Sequence, residues 1–535
     1  MRICVIMAAA LATTAALAAP GDNLLDNPGF EQGPWPQSPA WHGTIEAVAE
    51  NALSGARAGK LVAGDEGDAT IYSGYVPAVI GLRYRFTIHA KGTGTISLRS
   101  IQLTTDPDER YLIERPENHM ALTDQWQQIA IDISPEDPRV QRIAVVVQLD
   151  GAGATAFLDD AVLTTLGLPG GELTVTPSYA MVQPGGSASF EIAVRCDAGP
   201  IVEGALQVTV ALGEQTTRAT VPIAGETTTW DYVAPADAAP GSATVTVVNG
   251  DAGAGQSAWV DVVDAETYAA FEAAAEAVEI ETPAHILFIG DSLTDQLRGH
   301  NYTDMVGFWL RKTHGEVTYR NAGVGGDYIT RVWQRMTDPE HAYRPEMYAN
   351  LFEPAPTHVF IFLGHNDSKL KPKPEYSSPE DYEFDPVVPL GEFATLFARV
   401  IARIRARAPQ AQITILSASS SVHEITRETV VRRIAESGNG GSYFGRPDVL
   451  ERFNEAMQQI ARKASSAYGE RGWVAVYDGY VMEGMADRQT VGYLDVYSPT
   501  RDHPDKRALF TADGVHITPL GNQLIARLIL GWLGE

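Results

Sequence analysis

The stretch HILFIGDSLTD, residues 285–295, decides how the C-terminal half of this chain folds. Its apolar run has the length and composition of a buried strand, and the run ends in Gly-Asp-Ser. Ser292 therefore stands where the strand ends. A serine in that place either caps the next helix or acts as a nucleophile at the edge of a sheet. The stretch by itself leaves both interpretations open.

Residues 280–535 alternate between β-rich runs and amphipathic helical runs. The strand candidates read HILFIG, EVTYRNAG, HVFIFLG, QITILSAS and WVAVYDG, and the clearest helical runs read EFATLFARVIARIRARA and VLERFNEAMQQIARKASSAYG. This order predicts a parallel sheet with helices on both faces. In such sheets functional sites form beyond the carboxyl ends of the strands, where Ser292 is expected.

Three further segments carry polar residues where predicted strands end or where the last helix begins. They are NAGVGGD at 321–327, GHND at 364–367 and DGVH at 513–516. Because the carboxyl ends of parallel strands share one edge of the sheet, we expect the first two segments to lie near Ser292.

The four blocks, in this order, resemble the SGNH hydrolase superfamily, also called GDSL esterases. The resemblance covers essentially all of 280–535 and implies an α/β/α domain with a flavodoxin-like parallel sheet. It implies Ser292 as the nucleophile, His516 as its base and Asp513 as the residue that orients the histidine. A base is needed because a serine hydroxyl is too weakly acidic to attack an ester unaided.

The resemblance also implies an oxyanion hole with three donors. By position these are the backbone N–H groups of Ser292 and Gly326 and the side chain of Asn366. Glycine suits its place because the backbone must come close to the substrate without a Cβ. Asp291 is expected to be a structural partner of the turn, and His365 fills the variable place of its block.

The last predicted helix follows directly after His516. Thr518 and Pro519 have the character of an N-cap and a first helical residue. A buried face of Leu520, Leu524 and Leu528 is expected to fix this helix, and with it the histidine, on the sheet.

The N-terminal segment, 19–168, is rich in short β-runs separated by turn signals, which predicts a sandwich or jelly roll. Its edges read NLLDNPGFEQG and AFLDDAVL. They resemble the edges of the jelly-roll carbohydrate-binding modules of secreted glycan-degrading enzymes. In such modules a structural calcium often joins the first and last strands. Glu31 and Asp160 match its positions, although calcium takes six to eight oxygen ligands.

Aromatic side chains could form a sugar platform in this segment. Trp35 and Trp41 lie in a proline-rich loop and are the candidates, with Trp41 preferred, whereas Trp126 falls in a strand pattern and is expected in the core. Buried aromatics are the commoner alternative for both candidates.

The remaining segments complete a multidomain chain. Residues 169–264 have the strand and turn rhythm of an immunoglobulin-like β-sandwich. Residues 265–279 are rich in Ala and Glu and predict a linker helix before the catalytic domain at 280–535.

The N-terminus, 1–18, has a positive residue, an apolar stretch and a small-x-small cleavage site, so a cleavable signal peptide and a secreted or periplasmic protein are expected. The formal net charge of −27 argues against nucleic acid and against an anionic membrane surface as partners. After cleavage a single cysteine, Cys196, remains, which excludes an intramolecular disulfide.

Two segments near the expected site carry basic residues in an otherwise acidic chain. The insert 368–389 contains three lysines, all close to GHND. The stretch 486–511 contains Arg501, His503 and Lys506. Together with Lys369, Lys371 and Lys373 of the insert, they are candidates for a basic rim that suits a carboxylated or sulfated glycan. The candidate substrate contacts are Arg501, His503, Lys506 and His365. Solvated charge is the alternative.

The leading functional hypothesis is a secreted serine esterase that removes O-acetyl groups from a polysaccharide or oligosaccharide, with no cofactor in catalysis. A lipase, arylesterase or thioesterase of the same superfamily is one alternative. A glycan-binding protein with an inactive hydrolase domain is the other.

Overall fold

A computed structural model describes residues 23–535 apart from 36–42, 65–66, 105–110, 115–117, 138, 169, 214, 297–298, 465–472, 478–479 and 485–490. The expected signal peptide at 1–18 and Trp41 lie outside the described residues. The described chain divides into two compact units. The N-terminal unit covers the chain up to Val262 except Tyr179–Met181, which group with Val263–Glu535 in the C-terminal unit.

The first half of the N-terminal unit is a sandwich of antiparallel strands. These are β1 (Thr44–Val48), β2 (Ala58–Val62), β3 (Asp68–Tyr72), β4 (Val76–Pro77), β5 (Tyr84–Gly92), β6 (Thr95–Thr104), β7 (Tyr111–Glu114), β8 (His119–Ala121), β9 (Gln127–Ile133), β10 (Val140–Asp150) and β11 (Thr155–Thr165). One sheet has the order β1-β2-β11-β5-β9; the other has β3-β10-β6-β7, with β4 beside β10 and β8 beside β6. In β9 the three isoleucines are buried and the residues between them are exposed, which is the alternation of a strand with one face on a core. The predicted jelly-roll class is confirmed.

A second set of antiparallel strands follows. It comprises β12 (Glu172–Thr176), β13 (Tyr179–Val182), β14 (Ser187–Cys196), β15 (Gly199–Pro200), β16 (Ala205–Leu212), β17 (Gln215–Pro222), β18 (Thr228–Val233), β19 (Gly241–Asn249) and β20 (Ala254–Val262). Strands β12, β14, β15 and β18 form one sheet, and β20-β19-β16-β17 run side by side in the other. This is the predicted β-sandwich, and Cys196 is half-buried at the end of β14.

The C-terminal unit alternates helices and strands. Its helices are α1 (Ala265–Glu276), α2 (Tyr302–His314), α3 (Ile329–Thr337), α4 (His365–Ser368), α5 (Leu390–Arg407), α6 (His423–Ser437), α7 (Pro447–Ala464), α8 (Tyr497–Arg501) and α9 (Pro519–Leu533). Its strands are β21 (Ala284–Gly290), β22 (Val317–Asn321), β23 (His358–Phe362), β24 (Gln412–Leu416), β25 (Trp473–Tyr477), β26 (Tyr480–Gly484) and β27 (Val491–Leu494). A parallel sheet runs in the order β22-β21-β23-β24-β27, the predicted flavodoxin-like arrangement.

The sheet is covered on both faces. Every residue of β21 is buried, as expected for a strand between two layers of helices. Leu287 and Ile289 belong to the core that includes the apolar faces of α3, α5 and α7. Phe288 points the other way, where its ring meets Tyr302 of α2 edge-on.

One predicted strand has a different place. The run WVAVYDG forms β25, which pairs antiparallel with β26 in a separate hairpin, and the fifth strand of the parallel sheet is β27. The predicted linker helix is α1, and it packs within the C-terminal unit, because Phe271 stacks on Trp309 of α2 with 5.9 Å between ring centroids. Among the described residues no helix is long and apolar enough to cross a membrane.

Candidate active site

Ser292 lies in a turn directly after β21 and does not cap a helix. The next helix, α2, begins ten residues later and is capped by Asn301, whose side chain accepts a hydrogen bond from the Thr303 N–H at 3.0 Å. The helix-cap interpretation of Ser292 is therefore wrong.

The turn is packed tightly against the loop that follows β22. A Cβ on Gly323 would lie 2.6 Å from the carbonyl carbon of Thr294, so that position accepts only glycine without movement of the backbone. The Asn321 side chain donates to the Thr294 carbonyl at 2.6 Å, and Asp295 accepts from the Gly325 N–H at 2.8 Å. These contacts hold the second block against the nucleophile turn.

Ser292, His516 and Asp513 form one hydrogen-bonded chain. His516 Nε2 lies 2.9 Å from Ser292 Oγ, and His516 Nδ1 lies 2.5 Å from Asp513 Oδ2. The Nδ1–H group donates a hydrogen bond to the carboxylate. Nε2 then carries no proton and accepts a hydrogen bond from the serine hydroxyl. The structure thus brings together residues that are 224 positions apart in sequence.

Asp513 is held as a carboxylate. Desolvation raises its pKa, but the hydrogen bond and charge of His516 and the N–H groups of Val515 and His516 outweigh this, so the pKa of Asp513 lies well below its usual range. Its other oxygen, Oδ1, accepts from both N–H groups at 2.9 and 3.0 Å. An antiparallel bridge between Phe510 and Ile517 closes the loop that carries the pair.

The three expected oxyanion donors surround the same turn. Among the described residues, neither the Ser292 N–H nor the Gly326 N–H has a hydrogen-bond acceptor. Gly326 has φ of +79°, a left-handed backbone that favours glycine. Asn366 Nδ2 donates to Asp291 Oδ2 at 3.3 Å, and Asp291 Oδ1 accepts from the Leu293 N–H at 3.0 Å. Asp291 therefore orients both the turn and the asparagine.

Asp367 connects the third block to the start of the helix that follows the second block. It is fully buried and accepts from the N–H of Ile329, the first residue of α3, at 2.8 Å. Burial raises the pKa of Asp367 to about 8, with the nearby carboxylate of Asp291 adding to the effect. The pattern GHND places a carboxyl there, but only the packing shows what it touches.

His365 is buried rather than open to a substrate. Its Nε2 lies 3.0 Å from Ser419 Oγ, its side chain is 3% exposed, and burial lowers its pKa to about 4. The imidazole is therefore neutral at physiological pH, and the predicted direct substrate contact lacks an exposed surface.

The other predicted substrate contacts are largely engaged by protein groups. Arg501 donates through Nε and Nη2 to Asp502, both at 2.8 Å, and lies 3.8 Å from Glu451. The Nδ1 atom of His503 accepts from a backbone N–H at 3.2 Å. Lys506 is half-buried, which lowers its pKa. Of these three residues, Arg501 is the one that is paired with carboxylates in the described part of the chain.

The carboxylates at the predicted calcium positions are engaged in part by donors of the protein. Glu31 Oε1 accepts from the N–H groups of Ala56 and Arg57 at 2.8 and 3.0 Å, and Asp160 Oδ1 accepts from the Ser54 hydroxyl. The described residues contain no group of three or more His, Cys, Asp or Glu side chains arranged to hold a metal. These carboxylate oxygens tie the loop 50–57 to the N-terminal segment and to β11.

The aromatic residues predicted for a sugar platform also differ in burial from the prediction. Trp35 is 3% exposed, its Nε1 donates to the Asn27 carbonyl at 2.7 Å, and its ring packs on Phe30. It belongs to the core, whereas Trp126, predicted to be core, is half-buried beneath the ammonium group of Lys91.

Residues 288–473 match the family model described as GDSL-like lipase/acylhydrolase. The C-terminal unit carries a domain of this family. The matched span contains Ser292, Gly326 and Asn366 and ends before Asp513 and His516. A GDSL-like acylhydrolase domain makes the chain a hydrolase, and it confirms the resemblance on which the site was assigned.

Other comparisons add only weak likenesses. A search of curated proteins finds no match. Among solved structures, the lipase/acylhydrolase from Enterococcus faecalis is 17% identical, with a TM-score of 0.31, over 47% of this chain and 95% of that one. The CBM22-1 xylan-binding domain from Paenibacillus barcinonensis Xyn10C is 16% identical, with a TM-score of 0.22, over 28% of this chain and 97% of that one. Similarities at these scores carry no functional argument.

Proposed function

We propose that this protein is a secreted serine esterase that removes O-acetyl groups from a polysaccharide or oligosaccharide. The single observation that carries the esterase mechanism is the chain from Ser292 Oγ through His516 to Asp513, with distances of 2.9 and 2.5 Å. The match to a lipase/acylhydrolase family supports ester hydrolysis as the reaction class.

The mechanism follows from the positions of these atoms. Ser292 Oγ attacks the ester carbonyl carbon while His516 Nε2 takes the hydroxyl proton, and the carbonyl electrons move onto its oxygen. The resulting oxyanion accepts from the N–H groups of Ser292 and Gly326 and from the Asn366 amide. When it collapses, the C–O bond to the alcohol breaks and His516 protonates the leaving oxygen. Water then cleaves the acyl-serine by the same steps.

The glycan assignment rests on the first domain. The edges of 19–168 resemble those of carbohydrate-binding modules, and this segment folds as the jelly-roll sandwich that such modules use. A sugar-associated esterase acts on ester-linked substituents of sugars, of which acetyl is the commonest for this superfamily.

Acetate release tests both parts of the proposal. Wild-type protein should release acetate from an acetylated polysaccharide, whereas Ser292→Ala and His516→Ala should not. His341→Ala is a matched control, because His341 also forms a pair with an aspartate three residues before it, Asp338, at 2.9 Å. That pair is exposed and outside the site, so its loss should leave turnover intact.

Two results would reject the proposal at different levels. Equal acetate release by wild type and Ser292→Ala would reject the mechanism. Hydrolysis of 4-nitrophenyl esters that improves with acyl chain length, without release from any glycan, would instead assign a lipase or arylesterase.

A further inference from the structure

Two cations meet at one aromatic ring beside the oxyanion donors. The ring is that of Tyr328, two residues after Gly326, and it is half-buried. The Arg331 guanidinium lies 5.0 Å from the ring centroid and the Lys369 ammonium lies 4.7 Å from it. Lys369 in turn follows Asn366 by three positions. The pair therefore belongs to the edge of the site formed by the second and third blocks.

Neighbouring aromatics hold both side chains in place. Arg331 also lies 5.2 Å from the ring of Tyr343, which is 53% exposed, and donates to the Gly326 carbonyl at 3.3 Å. Lys369 also lies 5.1 Å from the ring of Phe444. Cations that rest on aromatic faces keep their donors available for an anion.

These two charges are not neutralised by protein carboxylates. Among the described residues neither Arg331 nor Lys369 has an ion-pair partner. Asp327, four positions before Arg331, is fully buried, and both of its oxygens accept from Arg335 at 2.7 and 3.0 Å. Asp367, two positions before Lys369, is also buried and accepts from the Ile329 N–H at 2.8 Å.

Other lysines of the same insert behave differently. Lys371 lies 3.5 Å from Asp385, and Lys373 lies 2.6 Å from Glu383. Both ion pairs are internal to the insert, so the contrast with Lys369 lies in the local contacts and not in the overall charge of the segment.

We propose that Arg331 and Lys369, which both rest on the Tyr328 ring, form a subsite for the carboxylates of an acidic sugar chain next to the acylated sugar. This inference rests on the proposed function, since it names the substrate class of the same site. Each of the two cations binds a carboxylate, while the exposed Tyr343 ring offers an apolar face to a sugar ring. The substrate is then an acetylated polyuronate rather than a neutral acetylated glycan.

Calorimetric titration of the full chain with a trimer of unacetylated galacturonic acid tests the subsite without requiring turnover. Galactotriose is the neutral ligand for comparison. The acidic trimer should bind wild type more tightly, and Arg331→Gln and Lys369→Gln should each weaken its binding about tenfold, the size expected for loss of one charge-assisted hydrogen bond. Lys373→Gln, which removes a paired lysine of the same insert, should bind like wild type.

A second measurement compares the catalytic efficiency on an acidic and on a neutral acetylated glycan. The ratio of kcat/KM on acetylated polygalacturonate to that on acetylated xylan should fall about tenfold in either variant. Thermal unfolding checks that each variant is folded. If Arg331→Gln does not fold, Lys369→Gln alone provides the test.

Equal affinity of wild type for the two trimers, or an unchanged Kd in Lys369→Gln, would overturn the subsite. The same holds if neither trimer binds. Binding of the acidic trimer that depends on both cations, without acetate release from any glycan, would instead keep the subsite and reject the proposed deacetylation.

Discussion

Asp291 shows how one side chain aligns several catalytic groups. Its two oxygens accept from the Leu293 N–H and from Asn366 Nδ2, so the serine turn and the asparagine share one anchor. The GDSL block therefore contributes more than its serine. Preorganised donors of this kind act because they need no rearrangement when negative charge develops.

Asn366→Ala should lower kcat by about two to three orders of magnitude, because one oxyanion donor contributes ~2.7–4 kcal/mol to transition-state stabilisation. Steady-state kinetics on 4-nitrophenyl acetate measure this, with thermal unfolding as a check on folding. An unchanged kcat would remove Asn366 from the site.

Asp367→Asn should stabilise the protein at neutral and mildly alkaline pH. With a folded-state pKa of about 8, the buried carboxyl of Asp367 stays protonated where the unfolded chain has lost its proton. Stability attributable to this group is therefore fully present below about pH 4 and falls as the pH rises towards 8. Asparagine keeps an acceptor for the Ile329 N–H without the titration.

The difference in Tm between Asp367→Asn and wild type should accordingly grow from pH 5 to pH 8. At pH 8 it should correspond to a few kcal/mol of unfolding free energy, as an order-of-magnitude estimate. A difference that is constant with pH would show that Asp367 is ionised in the folded state.

At the scale of elements, the sequence largely predicted which segments of the C-terminal unit form strands and helices. It did not predict which elements pair or pack with one another. The run WVAVYDG has strand composition, but composition does not say whether a strand joins the parallel sheet or a hairpin. In α9, Thr518 is the predicted cap. The predicted face of Leu520, Leu524 and Leu528 is wrong, since Leu520 is 43% exposed. The buried residues are instead Gly521, Asn522, Ile525, Ala526, Ile529, Leu530 and Leu533.

The insert 368–389 is another element whose contacts the sequence did not reveal. Leu370 forms bridges to Pro386 and Tyr443, and Tyr376 and Tyr382 are buried in the main core of the unit. Its proline-rich sequence excluded a long helix, but it did not reveal the tyrosines as anchors.

Two glycine substitutions should have opposite effects on stability, because a Cβ has no room at Gly323 and open space at Gly531. Gly323→Ala should destabilise the protein and lower activity, because its Cβ would lie 2.6 Å from backbone of the turn. Gly531→Ala in α9 has open space at its Cβ, so it should stabilise by about 0.5–1 kcal/mol. Denaturant unfolding and esterase assays measure both. Equal effects of the two changes would contradict the close approach at Gly323.

At the scale of the whole molecule, the candidate active site and the jelly roll belong to different units. All described site residues lie in the C-terminal unit, and the jelly roll lies in the N-terminal unit. Lys371 and Lys373 of the insert form ion pairs, whereas among the described residues Arg331 and Lys369 have none.

Removal of divalent metal should leave the unfolding of the N-terminal unit unchanged. Glu31 Oε1 and Asp160 Oδ1 accept from donors of the loop 50–57, and these contacts hold the loop without a metal. Calorimetry with and without a chelator measures this. A transition that falls with the chelator and returns with calcium would contradict it.

The sequence alone determined the fold class of each segment and the identity of the candidate nucleophile, base and oxyanion donors. It did so because strand and helix periodicity is local and because the four blocks carry the residue types that acyl transfer requires. Only the tertiary structure decided which cations are neutralised, that His365 and Trp35 are buried, and that Asp367 contacts the start of α3. These properties depend on contacts between residues distant in sequence, which packing decides and local pattern does not.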